Sequence, residues 1–223
     1  MELKGKIINF LGDSITEGTG TEDRLRDRYT TLIQQECGCK KVNNYGIGGT
    51  RIAHQTTPSE KARHDMNFCG RCWDMDKDAD IVAVFGGCND YFHGDAPFGS
   101  YDDSERTTFC GAVNYLCRTI RELHPNAVLV FFAPAHCRND NGPSLSVHKP
   151  ANAPEHRPLI DYVNAIMAIA PRYGFHTYSM YDNLGLDPKI PEIREKYTVD
   201  GIHFNAAGHR ILADRIIEFL KSI

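Results

Sequence analysis

The chain has 223 residues, 41% hydrophobic and 24% charged, with a formal net charge of −4 when histidine is neutral. That length suits one domain, 1–223, whose core needs neither metal nor disulfide staples. The mild negative charge excludes the basic footprint of a nucleic-acid binder or of a protein held on an anionic membrane. No apolar run approaches the ~20 residues of a membrane span. The opening MELKGKIINF has no secretory apolar region before its first strand, so a cytoplasmic location is expected. In a reducing compartment the cysteines at 37, 39, 69, 72, 88, 110, 117 and 137 are expected to be small buried thiols. CGRC (Cys69, Cys72) has the spacing of a redox pair or half a zinc site. A zinc site needs a second pair, and CGC (Cys37, Cys39) has the wrong spacing, so no metal is expected.

In chain order, KIINFLG (6–12) reads as a strand and RDRYTTLIQQECG (26–38) as a helix closed by Gly38. KKVNNYG (40–46) is a second strand whose polarity places it near an edge. SEKARHDMNF (59–68) reads as a short helix and DIVAVFGG (80–87) as a buried strand. Residues 104–124 carry apolar side chains at helical spacing, and AVLVFFAP (127–134) is another buried strand. A helix over 157–174, a strand over 175–181 and an amphipathic helix over 205–223 complete the chain. Near-continuous apolar strands alternating with helices predict an α/β protein, a five-stranded parallel sheet covered on both faces. Two long loops are expected, 86–104 and 135–157. Both follow strands and so emerge at the carboxyl edge, where open α/β sheets place their sites.

Four polar segments converge on that edge. GDS (12–14) follows the first strand, GIGGT (46–50) the second and GGCND (86–90) the third, while VDGIHFNAAGH (199–209) precedes the last helix. Acyl transfer needs a hydroxyl nucleophile, a base near neutral pH, an acid to orient that base and donors for the oxyanion. Ser14 suits the nucleophile and His203 the base. Asp200 precedes His203 by three residues, so one helical turn can bring their side chains together. The backbone N–H groups of Ser14 and Gly49 and the Asn89 amide suit the oxyanion.

GDS, GIGG, GCND and DGIH, in that order across residues 10–209, resemble the four sequence blocks of the GDSL-type SGNH hydrolases, with Ile15 in place of the family's leucine. The resemblance implies a flavodoxin-like three-layer α/β/α sandwich that hydrolyses acyl esters without a cofactor. It implies Ser14, Asp200 and His203 as the catalytic triad, and Ser14, Gly49 and Asn89 as the oxyanion hole, with Gly48 adjacent to the assigned glycine. The sequence lacks the G-x-S-x-G elbow of the other large serine-hydrolase class.

The loops flanking this edge are polar and carry histidines, which favours a hydrated small-molecule substrate such as an acetylated sugar. Asp13, Arg51, His93 and His136 are candidate substrate contacts, with Arg138 beside them. Trp73, the single tryptophan, is expected in the core or against a helix, with stacking on a sugar ring as the alternative. A lysophospholipase or thioesterase of the same family is the nearest other reading. A non-catalytic flavodoxin-like binding module is a third, but it predicts a missing triad member and none is missing; a flavodoxin-like cofactor binder would leave the later blocks unexplained.

Overall fold

The structure is a computed structural model and describes residues 1–142 and 157–223. Five strands, β1 (Ile7–Gly12), β2 (Lys41–Gly46), β3 (Ile81–Phe85), β4 (Val128–Ala133) and β5 (His176–Ser179), form one sheet in the order β2-β1-β3-β4-β5. All pairs are parallel, the flavodoxin-like arrangement. Its chain order reverses between β1 and β3, so crossover helices cover both faces.

Alternation along each strand builds two cores. Ile8, Phe10, Ala83, Phe85, Val130 and Phe132 face the helices Tyr29–Cys37 (α3) and Ala206–Ser222 (α8). Leu11, Val82, Val84, Leu129 and Phe131 face Phe109–Leu123 (α6) and Leu159–Ile169 (α7). Burying such side chains stabilises the fold by about 1.5–3 kcal/mol each before chain entropy is counted. β2 is an edge strand, as its polarity indicates. Its asparagines find fixed partners: Asn43 donates to Asn9 Oδ1 at 2.8 Å and Asn44 to Thr30 Oγ1 at 2.8 Å.

Register positions the site. Gly12 pairs with Gly46 on one side and with Phe85 on the other. The carboxyl ends of β1, β2 and β3 are therefore level, and the three polar segments leave the sheet side by side.

Several elements differ from the sequence expectations. The helix over 26–38 is two helices, Arg24–Asp27 (α2) and α3, because Arg28 is extended and the Tyr29 N–H is drawn to buried His209 Nδ1 at 3.3 Å. The 59–68 helix is a 3₁₀ turn, Ala62–Asp65, followed by Phe68–Arg71 (α4). The expected loop 86–104 contains a helix, Cys88–His93 (α5), too short to show a periodic apolar stripe. Tertiary bonds hold it: the Asp90 carboxylate accepts the Ile52 and Ala53 N–H groups at 2.9 Å each. Most of the 135–157 loop lies outside the described residues. Trp73 is 54% exposed in a 3₁₀ turn, and neither core nor helix packing claims it. The cysteines are free thiols, all buried except half-buried Cys37; burial raises the Cys72 thiol to about 12. No helix among the described residues is long and apolar enough to cross a membrane.

Candidate active site

Asp13 follows β1 directly and caps the one-turn helix Ser14–Glu17 (α1), accepting the Ile15 N–H at 3.0 Å. This turn lifts the Ser14 hydroxyl out of the sheet. Ser14 Oγ lies 2.9 Å from His203 Nε2, and His203 Nδ1 lies 2.6 Å from Asp200 Oδ2. The expected helical turn between Asp200 and His203 is absent. Instead, Asp200 Oδ1 accepts the N–H groups of Ile202 at 2.9 Å and His203 at 2.7 Å. Gly201, at φ +83°, closes the bend in a left-handed conformation that side chains disfavour. An isolated bridge between Thr198 and Phe204 clamps its two ends. Burial pushes the Asp200 carboxyl up, but the hydrogen bonds from His203 and the imidazole charge outweigh it and hold the group at about 2.

The Ser14 hydroxyl and the His203 ring open into a cleft of about 490 Å³ also lined by Gly49, Asn89, His64 and Arg138. The two candidate glycines are distinguished by their bonding. Gly48 N–H is committed to Glu17 Oε2 at 3.0 Å, whereas Gly49 turns at φ +79° with its Cα against the His64 ring. An added Cβ at Gly49 would sit 2.3 Å from that ring. Asn89 Nδ2 donates to Thr50 O at 3.0 Å and makes a looser 3.4 Å contact with Asp13 Oδ2.

The four candidate substrate contacts are placed differently. Asp13 is 3% exposed and serves the α1 turn and Asn89. Arg51 is 3% exposed, with its guanidinium on Asp65, Ser59 and His93. His93 lines the cleft but also bonds Asn89 Oδ1 at 3.1 Å. His136 is outside the main cleft, between Asp140, Lys189 and the Tyr181 ring. Sequence reasoning missed Glu17 and Arg71. Buried Arg71 donates to Gly12 O at 3.1 Å and to Thr50 Oγ1 at 2.9 Å, tying the first two polar segments together. Its setting in CGRC carries no sign of that role.

Burial raises the Asp13 carboxyl from 3.8 to about 6, against the Ile15 N–H and the nearby His203 and Arg71 charges. Between those pH values folded Asp13 keeps a proton that the unfolded chain has released, so its contribution to stability falls as pH rises. Two pH units correspond to about 3 kcal/mol. Buried His209, held at about 4, titrates with the opposite sign in the same window. The expected result is therefore a difference between proteins. From pH 4 to pH 7, wild type is expected to lose about 2 kcal/mol relative to Asp13→Asn in urea denaturation, most of that span. A constant difference across that range refutes it.

A parallel 2-1-3-4-5 sheet that delivers hydroxyl, imidazole and carboxylate in hydrogen-bonded series to its carboxyl edge is the framework of an α/β hydrolytic enzyme. Residues 10–211 match the GDSL-like lipase/acylhydrolase family, and the chain belongs to that family as a carboxylic ester hydrolase. A solved structure of a protein from Lactobacillus plantarum is 32% identical, with a TM-score of 0.81 and 98% of each chain covered. The lipase/acylhydrolase from Enterococcus faecalis shares the fold at 16% identity and TM-score 0.62, over 97% of this chain and 96% of that one. So does the acetyl xylan esterase AlAXEase, at 20% identity and TM-score 0.59, over 95% and 98%. No curated protein matches the chain significantly.

Proposed function

We propose that the protein is a serine esterase that removes short acyl groups, acetyl above all, from a carbohydrate or similar polar alcohol through an acyl-enzyme. The observation that carries this reading is the unbroken series Ser14 Oγ, His203 Nε2, His203 Nδ1, Asp200 Oδ2 at the wall of an open cleft. Ser14 Oγ attacks the ester carbonyl carbon as His203 Nε2 takes its proton. Asp200 keeps the other imidazole proton on Nδ1 and stabilises the cation that forms. Asp13, the second carboxylate near His203, favours the same cation.

The oxyanion is received by the Ser14 N–H, the Gly49 N–H and the Asn89 amide. The 3.4 Å contact to Asp13 is long for a hydrogen bond, so that amide hydrogen is easily exchanged for an oxyanion. Collapse breaks the bond to the alkoxide, which leaves with the proton from His203. Water then repeats the sequence on the acyl-serine and restores the hydroxyl.

The acyl preference is supported by a hollow of about 10 Å³ that shares Ile15, Cys88 and Ile202 with the cleft. Its wall is mostly apolar, with Asp13 and His136 the ionisable side chains on it, and it is too small for a long chain. The alcohol side is supported by the cleft's hydrogen-bonding groups, among them Asn139, Thr19 and Lys61. A panel of p-nitrophenyl esters and acetylated sugars tests both parts. Acetyl esters should have the highest kcat/KM, falling with each added pair of methylenes beyond about four carbons; at ~0.8 kcal/mol per buried methylene a fitted channel would give the opposite trend. Rates rising to long-chain acyl groups would favour the lysophospholipase or thioesterase reading.

A further inference from the structure

We propose that Arg51 and His93 are positioning residues that set the orientation of the Asn89 side-chain amide. The proposal rests on the reading of that amide as an oxyanion donor. Asn89 Oδ1 faces His93 Nε2 at 3.1 Å, and His93 Nδ1 faces Arg51 Nη1 at 3.0 Å. A guanidinium has donors only, so the His93 nitrogen facing it must present a lone pair. The single ring proton is then on Nε2, where it is donated to Asn89 Oδ1, an atom that only accepts. At the opposite end of the amide, Thr50 O also only accepts and holds Nδ2 at 3.0 Å. The two constraints agree. Together they point the remaining amide hydrogen toward Asp13 and the cleft and prevent the amide from flipping.

Arg51 is itself fixed. Its Nη1 also donates to His93 O at 3.2 Å, and its Nη2 to Asp65 Oδ1 and Ser59 Oγ, both at 2.6 Å, and to His64 O at 3.2 Å. The relay therefore starts in the 59–65 segment, which contributes Lys61, Arg63 and His64 to the cleft wall. A side chain chosen only to contact substrate would not be 3% exposed with both terminal guanidinium nitrogens on protein acceptors; only its buried Nε has no partner among the described residues.

The test is a double-mutant cycle with p-nitrophenyl acetate. His93→Leu keeps the bulk of the ring and removes the donor. It should lower kcat on the order of 10- to 100-fold, because small misplacements of a catalytic group cost that much, and should change KM less than about twofold. His93→Gln, which can donate to Asn89 and accept from Arg51, should recover most of the rate. In an Asn89→Ala background, His93→Leu should add less than about a twofold loss, since the amide it positions is gone. For Arg51, ¹⁵N NMR of histidine-labelled protein should show His93 Nδ1 unprotonated in the wild type and a mixture of tautomers in Arg51→Met. The proposal is overturned by an equal His93→Leu loss in both backgrounds, by a KM effect at constant kcat, or by a His93 tautomer unmoved in Arg51→Met. An Asn89→Ala enzyme with full activity would instead remove the oxyanion reading beneath it.

Discussion

Ser14→Ala is expected to lower kcat for p-nitrophenyl acetate by at least about 10⁴-fold while leaving the protein folded. The loss should be large because in the proposed mechanism the hydroxyl oxygen forms the covalent bond, and a triad acts as a unit. Stability should change little. Ser14 opens a one-turn helix whose cap is Asp13, and alanine suits that position. The bond lost is the 2.9 Å contact with His203, whose ring is partly exposed and can be satisfied by water. Fluorophosphonate labelling followed by peptide mass spectrometry gives the same answer independently. The adduct should sit on Ser14 in the wild type and be absent from the variant. Turnover retained in Ser14→Ala, or label on another residue, would show that a different group attacks.

Asp200→Asn should be nearly as damaging, about 10⁴-fold in kcat at neutral pH. The reason is in the bend. One carboxylate oxygen accepts the backbone N–H groups of Ile202 and His203, and the bend needs an acceptor there. An asparagine satisfies the backbone only by turning its carbonyl oxygen that way, which aims its NH₂ group at His203 Nδ1. The imidazole must then accept at Nδ1 and carry its proton on Nε2, facing Ser14 Oγ. A base in that tautomer cannot take the serine proton. Crystallography and histidine ¹⁵N NMR of the variant check the steps in turn: an unchanged bend, then a proton moved to Nε2. A variant with the proton still on Nδ1 and a 10⁴-fold loss would put the effect in charge rather than tautomer.

Much of the architecture was legible because it depends on local pattern. Ile81–Phe85 and Val128–Ala133 are apolar throughout since both faces of a parallel sheet are covered, and that reads directly from the residues. The edge position of Lys41–Gly46 followed from its asparagines. The short helix Cys88–His93 did not show, because six residues between glycines carry no usable period and its stability comes from Asp90 bonding a distant loop. The split at Arg28 was equally hidden, since the cause is a histidine 180 residues further on.

For the site, the sequence alone determined which chemical groups stand at strand ends. Parallel register then brings strand ends level, so Ser14, Gly49 and Asn89 were bound to meet once the strands were recognised. It also determined that an acid and an imidazole precede the last helix. Only the tertiary structure decided how those groups are used. It spends the Gly48 N–H on Glu17, bends Asp200 onto His203 without a helix, and turns Arg51 away from solvent toward Asp65. The physical reason is range. Strand and helix patterns are set by neighbours a few residues apart, whereas a hydrogen-bond partner is chosen by packing, and the Ser14–His203 contact spans 189 residues.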